Sequence, residues 1–332
     1  MDRIYAAMDD ALLVVEPAGD GDWATHTALD GRSLEAVAAH PAAPDRAVAG
    51  SFESGLHRTA DGGASWDRVG ADTLASPAVT AVAVDPTDPD RWWAGTEPSA
   101  VYRSTDGGSS WAATTDLTTL PSADRWSFPP RPHTHHVRWV EPDPHAAGRL
   151  YVGIEAGALV ISDDAGGRWR DRPDGSRRDN HSLATHPDAP GQVYAAAGDG
   201  YAESTDGGET WTYPQEGLAD RYCWSVVPDP ADPNRVLVSA ASGPRSAHSS
   251  PGESYVYRRS GEAPWELAMT GLPDPDGLLR PVLARGEAAG VVTALTNHGV
   301  YRTTDFGGGW TRLPIAWPDR FTRQPPRGLA VV

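Results

Sequence analysis

Two stretches of the chain carry histidines whose spacing could bind a metal or move a proton. His133, His135 and His136 lie in PPRPHTHH, and His181 lies in DNHSLATHP. Imidazole titrates near neutral pH and ligates metals through a neutral nitrogen, so paired histidines suit either task. Two arginines, Arg280 in LLRPVLAR and Arg327 in PPRGLAVV, stand just before apolar stretches. A guanidinium fork suits a carboxylate, sulfate or phosphate. Glu35 in SLEAVAAHP, Thr80 in VTAVAVDP and Trp224 in CWSVVPDP open similar stretches. These groups can act together only if the elements that carry them converge.

Those elements repeat. The pattern Ser/Thr-x-Asp-x-Gly-x-x-Trp occurs as TADGGASW (59–66), STDGGSSW (104–111), SDDAGGRW (162–169), STDGGETW (204–211) and TTDFGGGW (303–310). Degenerate copies stand at RRSGEAPW (258–265) and EPAGDGDW (16–23). The seven tryptophans, Trp23, Trp66, Trp111, Trp169, Trp211, Trp265 and Trp310, fall from 42 (Trp169 to Trp211) to 58 (Trp111 to Trp169) residues apart. Such a period fits one four-stranded propeller blade per repeat. Within each turn the Asp carboxylate can accept backbone N–H groups ahead of it, and glycine permits positive φ.

This turn resembles the Asp box, or BNR repeat, of sialidases, sortilin-like receptors and the photosystem II assembly factor. In that family the box is a structural turn on the face opposite the ligand, so the resemblance implies structural roles for Asp61, Asp106, Asp164, Asp206 and Asp305. Sialidase activity would need an arginine triad, a Tyr–Glu nucleophile pair and a further acid on a six-bladed ring. Here the repeats count seven blades, two arginines align, and Tyr222 has no evident glutamate.

The expected fold is all-β: a seven-bladed propeller of four-stranded blades spanning 1–332 as a single domain. The first blade is shared between about 1–28 and 325–332. RIYAAM reads as a second strand lacking a first, and RGLAVV as a first strand lacking a second. Pairing them closes the ring and removes the open sheet edge.

Aligning the innermost strands on their closing proline puts Glu35, Thr80, His136, His181 and Trp224 six residues before it, with Arg280 and Arg327 in the remaining blades. All seven then ring the mouth opposite the Asp turns, the natural place for a ligand. Nearby loops add Asp9, Asp10, Glu53, Glu97, Glu155, Asp199, Asn297 and His298. Two long insertions, about 112–134 and 242–254, bring Trp126, Phe128, Arg245 and His248. His40 and His186 fall at the other end of their strands, where surface positions are expected.

Three readings of the histidines stay open. They bind a divalent metal through His136, His181 and His298, with Glu35 or Glu155 as other third ligands. They act as acid and base with Glu35. Or they are hydrogen-bonding residues in a wet channel. Arg280 and Arg327, with Trp224, Thr80 and Arg245, would hold a small anionic substrate for hydrolase or lyase chemistry; alternatively, each arginine pairs with a carboxylate such as Glu35. A non-enzymatic binding or scaffold propeller is the rival to all of these.

Composition narrows the partners. The chain has no lysine and a formal net charge of −17, which repels nucleic acid and anionic membrane. One cysteine, Cys223, excludes an internal disulfide framework. The N-terminus lacks the pattern of a signal peptide, and no apolar run reaches ~18 residues. The expectation is a soluble, cytoplasmic monomer with a small-molecule partner.

Overall fold

The computed structural model describes residues 2–19 and 22–332; Asp20 and Gly21, in the degenerate copy EPAGDGDW, lie outside the described residues. Among the described residues the chain forms seven antiparallel sheets, five of four strands and two of three. In the two smaller sheets a single bridge marks the outer position, Ile161 with Arg170 and Glu203 with Thr212. We letter the strands of each blade A to D from the channel outward. In blade order, the A strands are Gly328–Val331, Leu34–His40, Val79–Asp85, Val137–Pro142, Asn180–His186, Tyr222–Asp229 and Val282–Arg285.

The ring closes as the sequence suggests. Gly328–Val331 pairs antiparallel with Ile4–Ala7, placing Ile4 opposite Val331 and Ala7 opposite Gly328. Beyond the strand, the Val332 N–H donates to the Arg3 carbonyl at 2.9 Å. Packing agrees. The buried apolar residues fall into seven clusters, one at each junction between adjacent blades. At the closing junction Ile4, Ala6 and Leu13 meet Val282, Leu295 and Val300. Each blade therefore buries both faces against its neighbours, which is why its B strands read as nearly continuous apolar runs.

The Asp turns are hydrogen-bonded hairpin ends. In STDGGETW the Ser204 hydroxyl donates to Asp206 at 2.8 Å and accepts the Gly208 N–H at 2.9 Å. Asp206 in turn accepts the Thr210 N–H at 2.9 Å, and the Trp211 indole donates to the Gly208 carbonyl at 3.0 Å. Gly207 and Gly208 take φ of 75° and 87°, the region glycine enters without steric cost. These bonds hold the Asp206 carboxyl down to about 2, the Thr210 hydroxyl contributing most. His186 departs from its expected surface position. It is buried, and its Nε2 lies 2.8 Å from the Asp229 carbonyl of the next blade.

Candidate functional site

The seven A strands line a narrow central channel of about 60 Å³, walled by Ala36, Val82, Val140, Ser182, Val282, Leu329 and their neighbours. At the mouth it meets a wider cavity of about 290 Å³. Local backbone irregularity aims side chains into this space. In five blades the A strand carries a bulge near its start, between Leu34 and Ala36, Val79 and Ala81, Val137 and Trp139, Asn180 and Ser182, and Cys223 and Ser225. The residues left unpaired are Glu35, Thr80, Arg138, His181 and Trp224. A bulge releases one residue from the ladder and redirects its side chain, so the ring of polar groups follows from the repeated bulge.

This corrects the sequence alignment in two blades. In the fourth, Arg138 holds the ring position; His136 stands one residue before the strand. The closing proline equivalent to Pro86 and Pro230 is Pro144, not Pro142. Each of these prolines follows an aspartate, Asp85, Asp143 or Asp229, whose carboxylate accepts the N–H two residues on, at 2.8, 2.8 and 3.1 Å. That Asp-Pro turn was the usable signal, together with a charged residue among Val37, Val82, Leu183 and Val226. In the last blade Val282 and Leu283 line the channel as Ala36 and Val37 do, which puts Pro281 at the ring position and Arg280 one residue earlier. Arg280 still reaches the cavity.

Four arginines therefore line the cavity: Arg131, which pairs with Glu97, and Arg138, Arg280 and Arg327. Arg327 is neutralised. Its Nε donates to Asp9 at 3.0 Å and its Nη1 to Glu35 at 3.4 Å. Arg138 lies 3.9 Å from Glu35 and 3.8 Å from Glu155, and donates to the Thr80 carbonyl at 3.3 Å. Arg280 differs from both. It is 2% exposed, and among the described residues its acceptors are the Pro326 carbonyl at 3.3 Å and Nδ1 of His248, with no carboxylate. Its Nη2 is buried without a partner among the described residues. Burial, then the like charges of Arg327 and Arg138, work against its cation. Trp224 supports it, with the guanidinium carbon 3.7 Å from the ring centre and that of Arg138 at 4.7 Å.

The histidines converge on one carboxylate. His136 Nε2 lies 2.9 Å from Glu155 Oε2, and its Nδ1 lies 3.5 Å from Glu97. Glu97 is held in turn by both arms of Arg131, at 2.7 and 2.5 Å. His181 Nε2 is 4.0 Å from Glu155 Oε1 and 3.8 Å from Asp179 Oδ2. Burial alone would raise Glu155, but the His136 hydrogen bond and the charges of His136, His181 and Arg138 outweigh it and hold the carboxylate well below its ordinary range. Asp179 goes the other way. Burial raises it above the usual carboxylate range, against the pull of His181 and with the push of Glu155. A carboxyl biased toward the proton thus stands beside one biased against it.

The remaining expected residues are placed as follows. Thr80 lines the cavity, but its hydroxyl proton is committed to the Val137 carbonyl at 2.6 Å. Arg245 does not join the site. The insertion 242–254 forms a short helix, Pro244–His248, whose first turn is exposed at Arg245 and whose end brings His248 to the cavity. His298 does not join His136 and His181 either; its ring lies 3.3 Å from the Gly277 carbonyl, and its backbone N–H is tied to Thr296. Burial pushes the Cys223 thiol up to about 12, which keeps it protonated. Tyr222 meets His248 Nε2 at 2.8 Å, and among the described residues no glutamate hydrogen-bonds it, so the Tyr–Glu pair of sialidases is not formed. The long insertion before blade four contributes Phe128, edge-on to His136 at 4.7 Å.

No protein-family model matches the chain, and no curated protein matches it. Solved structures do. A GH74 enzyme of Niastella koreensis superposes with a TM-score of 0.70 at 16% identity, over 99% of this chain and 52% of that one. The GH74 xyloglucanase from Xanthomonas campestris gives 0.64 at 17%, over 98% and 52%. YCF48 bound to D1 peptide gives 0.59 at 17%, over 85% and 82%. The chain thus spans about half the length of the GH74 enzymes and most of YCF48. At these identities the likeness shows the propeller fold alone.

Proposed function

We propose that the mouth of this propeller binds a small anionic molecule and acts on it by proton transfer, in hydrolase- or lyase-type chemistry. The observation that carries the reading is Arg280. An arginine cannot shed its proton in a protein, and a buried cation without a counter-charge is costly. Arg280 is such a cation, set on the wall of a 290 Å³ cavity beside Arg138 and Arg327. An anion placed there gains a charge-assisted hydrogen bond and removes that cost. Paired acidic groups with opposed proton affinities are the usual equipment of an acid–base site, and Glu155 and Asp179, with His136 and His181, supply one. Glu35 is engaged by Arg327 and serves to fix it. The repeats are read as Asp boxes with structural roles. The net charge of −17 argues against nucleic acid or anionic membrane as partner, and the closed ring leaves a monomer able to stand alone.

The test is calorimetric titration of the full chain with phosphate, sulfate and small mono- and dicarboxylates, compared with Arg280→Met. Binding by the native chain that the variant loses supports the reading. No binding of any of these anions, or equal binding by the variant, sinks it. A second reading is a non-enzymatic scaffold that holds a peptide. Its support is that this chain spans 82% of YCF48, solved with D1 peptide, and 52% of the GH74 enzymes.

A further inference from the structure

Three metal-ligating side chains face one another beside the mouth with no hydrogen bond among them. Glu155 follows strand Leu150–Ile154, Asp179 precedes strand Asn180–His186, and His181 is the bulged residue of that strand. One donor atom from each lies within 4.8 Å of the other two. His181 Nδ1 lies 2.7 Å from the Cys223 carbonyl. A carbonyl only accepts, so this nitrogen carries the ring proton. With Nδ1 so occupied, it is Nε2 that faces the two carboxylates, and in the neutral tautomer it offers them a lone pair to share with an ion. That nitrogen is buried and, among the described residues, has no hydrogen-bond partner, in a residue 1% exposed.

The distances suit an ion better than hydrogen bonds. Nε2 stands 3.8 Å from Asp179 and 4.0 Å from Glu155, beyond hydrogen-bonding range. Two ligands each about 2.0–2.2 Å from a shared metal can stand up to about 4.4 Å apart. The outer contacts also match what metal ligands require. The Cys223 carbonyl fixes the imidazole tautomer. The second oxygen of Glu155 is held by His136 at 2.9 Å, and that of Asp179 accepts the Ala156 N–H at 2.7 Å.

We infer that Glu155, Asp179 and His181 form a binding site for a divalent transition-metal ion of the Zn²⁺ or Mn²⁺ class. One imidazole with two carboxylates selects such ions over the all-oxygen preference of Mg²⁺ and Ca²⁺. Three protein ligands leave a coordination position for water, as in catalytic rather than structural sites. The ligand set replaces the one expected from sequence, in which His136 and His298 bound the ion directly. His136 instead orients Glu155. Anion binding and metal binding are separate, since Arg280 touches none of the three ligands; with the ion bound, Glu155, Asp179 and His181 serve as its ligands and not as proton-transfer groups.

The experiment uses the full chain stripped with chelator and dialysed against Zn²⁺, with bound metal counted by elemental analysis. The native chain should retain about one equivalent. Asp179→Asn and His181→Ala should each weaken retention by at least tenfold while far-UV circular dichroism stays unchanged. Asp179→Asn, nearly isosteric, guards against a folding defect in His181→Ala. Co²⁺ substitution should give visible absorption bands in the native chain and lose them in Asp179→Asn. Less than stoichiometric retention by the native chain, or retention by Asp179→Asn equal to native, overturns the inference. Arg280→Met should keep the metal, so a failed anion titration and a failed metal titration report separate faults.

Discussion

The Arg280 guanidinium donates to Nδ1 of His248, and arginine has no lone pair to offer in return. The imidazole must therefore be neutral, with its single proton on Nε2, where it meets the Tyr222 hydroxyl at 2.8 Å. Burial, reinforced by the charges of Arg280 and His181, holds His248 down to about 2. The arginine thus spends its hydrogen bonds on neutral acceptors and keeps its charge uncompensated. This relationship ties the approach to the last A strand to the insertion 242–254, since Arg280 precedes Val282–Arg285 and His248 ends the insertion's helix. The Arg280 N–H fastens that loop a second time, on the Ala247 carbonyl at 3.0 Å.

A prediction on stability follows from that charge. Removing one partner of a buried ion pair costs about 3–5 kcal/mol. Arg280 has no carboxylate partner among the described residues, so Arg280→Met should lose nothing of that size. In anion-free buffer its urea midpoint should equal or exceed the native one. A saturating anion, at about 100 times its Kd, should add about 2.7 kcal/mol to the native chain and nothing to the variant. A loss of more than 3 kcal/mol in the variant without anion would mean that an unrecognised counter-charge is present.

Much of this architecture was legible from the chain, and the reason is periodicity. Asp-turn tryptophans recur because each blade needs the same hairpin end, and RGLAVV reads as an unpaired strand because RIYAAM supplies its partner. The mouth was legible only where turn lengths were uniform. Counting back from Pro142 selects His136, because a Pro-Asp-Pro run disguises the repeated Asp-Pro turn. A displacement of two residues preserves the face of a strand, so the warning in the apolar pattern was a single residue, Arg138, standing where other blades have Val37, Val82, Leu183 and Val226. Asp179 escaped for another reason. It lies just before a strand, outside the repeated positions, where spacing carries no information about direction.

The pH dependence of folding should carry the mark of His57. This buried ring, on strand Gly55–Thr59, is held down to about 4, chiefly by burial and then by the charges of Arg32 and Arg68. The unfolded ring takes a proton near its ordinary value of 6.5. Between about 6.5 and 4 the unfolded state binds the proton and the folded state does not, so stability falls as pH falls through that window. The slope from one such group approaches ~1.4 kcal/mol per pH unit. His57→Gln should flatten the curve of urea midpoint against pH between 6 and 4.5 relative to the native chain. Parallel curves for the two proteins would show that His57 titrates normally.

The Asp turns should matter to stability and not to the mouth. Ser204 is buried, and its hydroxyl is the acceptor for the Gly208 N–H. In Ser204→Ala that donor loses its partner, which costs about 1–3 kcal/mol. Asp206 is exposed, and water can replace part of what it offers the Thr210 N–H, so Asp206→Ala should cost less than Ser204→Ala. Anion and metal binding should be unchanged in both. If Asp206→Ala abolished ligand binding at native stability, the turn would have a functional role and the structural assignment would be wrong.

The closing strand can be removed outright. Gly328–Val331 is the A strand of the first blade, and its loss leaves Ile4–Ala7 with an unpaired edge on one side. Arg327 leaves with it, freeing Asp9 and Glu35 from their ion pair. An exposed apolar edge templates pairing between chains, and Ile4, Ala6 and Tyr5 are buried members of two inter-blade clusters that the deletion opens. A chain ending at Pro326 should therefore associate in size-exclusion chromatography and unfold at a lower temperature than the native chain. The defect lies in one strand, so a synthetic peptide spanning 327–332 should restore monomeric elution in part. A truncated chain that elutes as a monomer and unfolds at the native temperature would show that the ring holds without its clasp. The convergence of Arg280, Arg327 and Glu35 would then need a cause other than closure.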